Sequence, residues 1–250
     1  MLTEERQQAI LLLLKENEIV KTKELMSQFD VSESTIRRDL QEMEEKSLLK
    51  RVHGGAKSIL KLEPELNMLE KSVKNVHQKK AIAAYAASLV KDGEFIYLDA
   101  GTTTYEMLPF LKGKDVHVVT NSVYHASSGI DLGIQMTMIG GTVRMTTKAS
   151  VSSQAIEQLK TYYFDKAFMG VNGIHADYGF TTVDAEEAAT KKAAMNQAQH
   201  VFVLTDHSKF GKVNFSKITD VEAGVIITDK IEESDVSERL KTKTTIKEVL

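Results

Sequence analysis

The chain has 250 residues, with 32 Lys and Arg against 35 Asp and Glu for a net charge of −3, 42% apolar residues, and neither Cys nor Trp. This length suits one large domain or two of ordinary size, and the apolar share beside 27% charged residues excludes disordered and fibrous chains. The lack of Cys excludes disulfide scaffolds, Cys-ligated zinc, iron–sulfur clusters and cysteine nucleophiles, while the longest apolar run, Ala9 to Leu14, is far below the roughly 18 residues of a bilayer span.

The start MLTEERQQ is neither basic nor followed by a signal-peptide core, so a cytoplasmic protein with no membrane contact is expected. A first helix is predicted from Thr3, a candidate cap with Glu4 and Glu5 at the positive dipole end, to about Asn17, with Ile10, Leu13 and Leu14 inward. A second opens at Thr22 and carries Leu25, Met26 and Phe29. It stops at FDVS, where Asp30 can take left-handed geometry and Ser32 can cap the next helix. In the third, Ile36, Leu40 and Met43 share a stripe, while Ser34, Arg38 and Gln41 fall opposite, flanked by Thr35 and Arg37. Helix, short turn and a helix with a polar, doubly basic outer face is the geometry that lays a recognition helix in a major groove.

The following KSLLKRVHGGAKSILKL holds five Lys or Arg and no acid, and reads as a small β-wing turning at His53-Gly54-Gly55. Such a wing places Lys50, Arg51 and His53 on the phosphate backbone, contacts that position without specifying sequence. Residues 1 to 60 hold ten basic against eleven acidic groups, so the charge has to be asymmetric to serve DNA. The alternative is a three-helix protein-interaction module with solvated arginines.

Arg6, Ile10 and Leu14, then SESTIRRDL from Ser32 to Leu40, then LLKRVHGGA, resemble the signature of the DeoR family of bacterial transcriptional repressors. The resemblance implies double-stranded operator DNA as a partner, read by Ser34, Thr35, Arg37, Arg38 and Gln41 with Lys50, Arg51 and His53 on the wing. Asp30 stands where the family often has Gly or Asn. A helix-turn-helix reads paired half-sites, so a homo-oligomer, dimer or tetramer, is expected.

Residues 1–56 are thus the DNA-binding domain, 57–75, with Pro64, a linker, and 76–250 a second domain. There Phe95–Leu98, Val116–Val119, Ile134–Ile139, Ala167–Met169, Val201–Leu204 and Val225–Ile227 are strand-length apolar runs separated by helical segments, an α/β pattern with a largely parallel sheet. Small polar residues end the strands: DAGTTT, TNS, GGT, GVNG and TDHSK. In an open α/β sheet these ends share the edge where ligands bind.

DAGTTT, holding Asp99, Gly101, Thr102, Thr103 and Thr104, is a candidate anion cradle; the plainer reading is a tight turn with a Thr cap. Asn121 and the pair Gly140 and Gly141 are further candidates or simply turn residues. Glu187 and Lys191, at i and i+4, are either a solvated pair or holders of sugar hydroxyls and phosphate, and Lys209 follows a strand end as a phosphate partner. The histidines 53, 77, 125 and 175 are expected on surfaces, and neither a metal nor a cofactor is expected. DAGTTT, VVTNS, GGTVR, FDKAFMGVNGI, GFTT, EEAATKKAAM and LTDHSKFG resemble the sensor domain of the same family, with a fold similar to ribose-5-phosphate isomerase and glucosamine-6-phosphate deaminase. That implies a phosphorylated sugar as effector. KLEPELNMLEKSVKN and YYFDKAFMGVNG are similar to the branch that represses fructose-utilisation operons, which implies fructose 1-phosphate. The rival reading is a sugar-phosphate isomerase or deaminase fused to a DNA-binding domain, with Asp99, Asp184, Glu187 and Lys191 as acid and base groups.

Overall fold

The computed structural model describes residues 2–17, 19–46, 48–58 and 67–249. The chain divides into two compact units, Met1–Lys61 with Glu233–Arg239, and Leu62–Glu232 with Leu240–Leu250.

The first unit runs α1 (Thr3–Asn17), β1 (Ile19–Lys21), α2 (Thr22–Phe29), α3 (Glu33–Glu45), β2 (Leu49–Val52) and β3 (Gly55–Ser58). Its core gathers the apolar stripes read from the sequence: Ile10, Leu14, Leu25, Ile36, Leu40 and Met43, joined by Val20, Leu49 and Ala56. Asp30 takes the left-handed conformation at φ 51, and the Ser32 hydroxyl accepts from the Thr35 amide at 3.3 Å to start α3. Thr3 is the first helical residue, and its hydroxyl accepts from Arg6 instead. The wing is part of a three-stranded antiparallel sheet ordered β1-β3-β2, because the three residues Ile19–Lys21 pair with β3. Gly55 makes that possible: a Cβ there would lie 2.0 Å from the Val20 carbonyl oxygen.

The second unit contains α4 (Met68–Ser72), α5 (Val76–Ser88), β4 (Phe95–Leu98), α6 (Thr102–Tyr105), α7 (Leu108–Leu111), β5 (His117–Thr120), α8 (Val123–Asp131), β6 (Gln135–Met138), β7 (Thr142–Val143), β8 (Ser150–Val151), α9 (Ser153–Leu159) and β9 (Phe164–Gly170). It continues with β10 (Gly173–His175), β11 (Gly179–Thr182), α10 (Ala185–Asn196), β12 (Ala198–Leu204), β13 (Ser216–Thr219), β14 (Val225–Thr228) and β15 (Ile246–Glu248), whereas most of α11 (Asp235–Lys241), which precedes β15 in sequence, is grouped with the first unit. Seven strands form a wholly parallel sheet ordered β15-β14-β12-β9-β4-β5-β6. Buried Ile96, Leu98, Val118, Phe168, Leu204 and Ile227 fill its core against Ile82, Ala83 and Ala86 of α5. Connections from β4 lead outward one way through β5 and β6, while β9, β12, β14 and β15 lie on the other side. The carboxyl ends of neighbours β4 and β9 are therefore a topological switch point, where a crevice opens in such sheets.

Two small sheets were not foreseen: the hairpin β7–β8, and the antiparallel set β10-β11-β13. Their strands are short, and those of the hairpin have two residues each, too few to show alternation. Of the stretch 57–75 expected as a linker, Lys57 and Ser58 belong to β3, and Asn67 caps α4, whose Met68 amide donates to the Thr146 carbonyl at 3.3 Å. Residues 59–66 lie outside the described residues.

Candidate DNA-binding face and effector pocket

In the first unit, Ser34, Arg37, Arg38 and Gln41 are exposed on α3 opposite its buried stripe, with Thr35 half-buried at the first turn. Lys50, Arg51 and His53 are exposed on the wing. The Arg51 guanidinium donates to the Gln41 amide oxygen and the Arg51 amide to Glu44 at 2.8 Å, so recognition helix and wing form one surface. Arg37 is held by Glu33 at 2.6 Å, whereas Arg38 has no hydrogen bond or ion pair among the described residues and is available to a base edge. Beneath this face Arg6 of α1 makes a two-point buried bridge to Asp39 of α3, Nε to Oδ2 at 2.5 Å and Nη2 to Oδ1 at 3.1 Å. Such a bridge fixes the azimuth of the recognition helix.

In the second unit, the turn after β4 is built around Asp99, which is fully buried. Its Oδ2 accepts from the Gly170 amide at 2.9 Å and from the Lys191 ammonium, clamping the ends of β4 and β9 to α10. The Thr104 hydroxyl donates to the Asp99 carbonyl at 2.6 Å, accepts from the Gly101 amide at 3.1 Å and contacts His125 Nε2 at 3.2 Å. His125 Nδ1 lies 2.6 Å from the Ser122 hydroxyl. Burial, with Lys191 as a smaller contribution, pushes the His125 pKa down to about 3, so the ring is neutral.

The carboxyl-end crevice is a cavity lined by Gly101, Thr102 and Thr103 after β4, Gly170 and Asn172 after β9, Asp206 and Lys209 after β12, and Glu187 and Lys191 of α10. Lys71, Lys74 and Lys79 close it from the segment around α4 and α5. Five lysines thus face Glu187 and Asp206, a net positive site for an anion. Lys79 is buried and donates to the Lys71 carbonyl; desolvation pulls its pKa down, opposed by the Asp206 carboxylate.

Of the residues singled out from the sequence, Gly101, Thr102, Thr103, Glu187, Lys191 and Lys209 line this cavity, and Asp99 adjoins it through Lys191. Four do not line it. The Thr104 hydroxyl is spent on its own turn. Asn121 is a buried brace, its Oδ1 accepting from the Ala100 amide at 3.0 Å and its Nδ2 donating to the Ser150 carbonyl at 3.1 Å. Gly140 and Gly141 form the bend into β7, where φ 138 and the Val151 carbonyl exclude a side chain at Gly141. Glu187 and Lys191 are both buried and do not pair with each other, which removes the solvated-pair reading. His125 and His175 are buried, contrary to the surface placement expected for them; His175 Nδ1 accepts from the Asp177 amide at 3.1 Å and pins the β10–β11 turn. Lys71, Lys74 and Lys79 were missed, although residues 71–80 carry four lysines and no acid. Among the described residues no group of three His, Asp or Glu could hold a metal ion, and no helix is long and apolar enough to cross a membrane.

A DNA-binding unit of helix-turn-helix type and an open α/β sensor unit together define a class, and the chain belongs to the DeoR family of transcriptional repressors: residues 6–61 match the DeoR-like helix-turn-helix domain and residues 74–230 the DeoR C terminal sensor domain. Among its relatives, it is 47% identical to the uncharacterized HTH-type transcriptional regulator FruR of Bacillus subtilis, over 93% of each chain. It is 34% identical to the HTH-type transcriptional repressor GlcR of the same organism, over 92% of this chain and 90% of that one, and 32% identical to a lactose phosphotransferase system repressor of Staphylococcus epidermidis, over 84% and 85%. A ribose 5-phosphate isomerase of Methanocaldococcus jannaschii is 21% identical over 56% of each chain, with a TM-score of 0.42. Family and relatives make the chain a regulator and not an enzyme.

Proposed function

We propose that this repressor binds the operator of a sugar-utilisation operon as a cytoplasmic homo-oligomer and is released when a phosphorylated sugar occupies the cavity at the carboxyl ends of β4, β9 and β12. One observation carries the reading: five lysines, Lys79 among them buried, converge on a cavity that also presents Glu187 and Asp206. A phosphate monoester of charge about −1.5 to −2 suits the cations, and sugar hydroxyls suit the carboxylates. The amides and hydroxyls of Gly101 to Thr103 with Lys209 take the phosphate in this reading, and Arg38 and Gln41 read bases. Fructose 1-phosphate is the first candidate, on the similarity of residues 61–75 and 162–173 to fructose-operon repressors.

The relative named for a lactose phosphotransferase system supports sugar control more generally. The test is a thermal-shift panel of hexose, triose and pentose phosphates, followed by operator-binding titrations with each hit. Fructose 1-phosphate is expected to raise the melting temperature and lower operator affinity. A panel in which no sugar phosphate does either overturns the reading, and one in which another sugar phosphate does both replaces the fructose assignment alone.

A further inference from the structure

The GGTVR stretch does not line the cavity, yet its hairpin is bonded to several of the parts that matter. Residues 142–151 fold as β7, a tight turn and β8, with the Lys148 amide donating to the Arg144 carbonyl and the Arg144 amide to the Ala149 carbonyl, both at 2.9 Å. Arg144 reaches from this turn to the start of α10: Nη1 bonds Asp184 Oδ2 at 2.5 Å and Nε lies 3.5 Å from Glu187 Oε1. The neighbouring Thr147 hydroxyl, itself lining the cavity, donates to the same Glu187 Oε1 at 2.6 Å. Among the described residues, Glu187 Oε2 has a single long contact, 3.5 Å from the Thr182 hydroxyl. An ionised carboxyl has about four acceptor positions, so Oε2 retains capacity toward the cavity, and a carboxylate accepts from a hydroxyl but repels a phosphate. The hairpin also holds α4, whose Met68 and Lys71 line the cavity, through the Met68 amide on the Thr146 carbonyl at 3.3 Å. The α4 segment continues in sequence, through residues 59–66, toward the wing.

We propose that the β7–β8 hairpin reads the effector's hydroxyls, with Arg144 as the positioning residue that orients Glu187, and passes occupancy to α4 through the Thr146 carbonyl. This rests on the cavity being the sugar-phosphate site. A hydroxyl donating to Glu187 Oε2 draws charge away from Oε1, which weakens its hold on Thr147 and Arg144. Because Thr146 lies between those two residues in the turn, its carbonyl shifts with them, and so does the α4 amide bonded to it. A ligand with no hydroxyl there fills the cation cluster without moving the hairpin.

The full-length protein tests this with fructose 1-phosphate, glucose 6-phosphate and inorganic phosphate as probes in calorimetry and operator binding. Arg144→Gln is expected to weaken fructose 1-phosphate about tenfold, as loss of a charge-assisted contact does, to narrow its preference over glucose 6-phosphate, and to leave inorganic phosphate within about twofold. Arg144→Lys, which can still pair with Asp184, is expected to recover part of the preference. Unchanged sugar discrimination in Arg144→Gln overturns the proposal. So does an equal loss for all three probes together with a lowered melting temperature, the mark of a structural role alone. Met68→Pro tests the transmission: position 68 opens α4, where Pro fits, and Asn67 at φ −69, ψ 168 already has the extended geometry Pro requires before it. The ratio of operator affinities without and with saturating fructose 1-phosphate is expected to fall toward one, and an unchanged ratio overturns the α4 route. If the wild type binds none of the sugar phosphates, the effector-site reading itself fails, an outcome distinct from binding without discrimination by Arg144.

Discussion

His125 makes the turn after β4 acid-sensitive. It sits fully buried between the Ser122 and Thr104 hydroxyls with its ring edge-on to Tyr105, and its folded pKa of about 3 lies well below the ordinary 6.5. A group whose folded pKa is depressed in this way takes up its proton first in the unfolded chain as pH falls. Stability is therefore intact above pH 6.5 and is lost between 6.5 and about 3. At pH 5 the loss depends only on the unfolded value, provided the folded one stays well below 5, and amounts to about 2 kcal/mol. The perturbation is His125→Gln, which keeps polar atoms near both hydroxyls and removes the titration. Urea unfolding of the full chain, followed by the sensor-unit transition, is measured at pH 7 and pH 5 for both proteins. The variant is expected to start less stable at pH 7 but to lose about 2 kcal/mol less than the wild type on acidification, since only the wild type carries this linkage. Equal pH dependence in the two proteins refutes the assignment, as does an imidazole NMR resonance of His125 that titrates near pH 6.

Arg38→Ala is expected to relax operator discrimination at one base pair by about 1–3 kcal/mol, whereas Lys50→Ala weakens all DNA alike and flattens the salt dependence; competition binding across single-base operator variants separates them. Asp39→Ala strands the buried Arg6 guanidinium, so a loss of about 3–5 kcal/mol is expected in chemical denaturation of the DNA-binding unit, with operator binding lost alongside. Gly55→Ala forces β3 away from β1, because its Cβ meets the Val20 carbonyl, and the first unit's unfolding midpoint drops while the sensor unit's stays. Lys209→Ala is expected to keep operator affinity without ligand and to lose both sugar-phosphate-induced release and thermal stabilisation; release at the wild-type concentration refutes the phosphate placement.

The DNA-binding unit was largely legible because each of its devices is local. The stripe Ile36, Leu40 and Met43 follows from helical periodicity, Asp30 from its tolerance of positive φ, and Ser32 from cap chemistry. What escaped is non-local. Ile19–Lys21 becomes a strand through its pairing with β3, three residues too short to show alternation. The Arg6–Asp39 bridge joins positions 33 apart, each polar by residue type and nonetheless buried. In the sensor unit the main strands announced themselves as apolar runs, since a parallel sheet covered on both faces needs them. The hairpin β7–β8 and the β10-β11-β13 sheet carried no such pattern and are set by neighbouring elements.

Reading site residues from strand ends led to the crevice, where Gly101, Thr102, Thr103 and Lys209 line the cavity while others at strand ends brace the turns. Asp99, Thr104 and Asn121 sit at strand ends in DAGTTT and TNS, yet they are engaged in holding turns: Asp99 through Oδ2 on Gly170 and Lys191, Thr104 on its own loop, Asn121 across to Ala100 and Ser150. Most buried polar groups find a partner, and here Asp99 Oδ2, Thr104 and Asn121 find theirs in the turns, which keeps the edge rigid. Three of the five lysines that give the cavity its sign, Lys71, Lys74 and Lys79, come from upstream of the first strand of the sheet. That placement has a thermodynamic consequence. The segment that carries these cavity-lining lysines is also the one leading back in sequence toward the DNA-binding unit. A ligand that binds these lysines with different free energy in two arrangements of that segment shifts the equilibrium between them. If the two arrangements also differ in operator affinity, linkage requires that operator DNA change the ligand's affinity by the same factor.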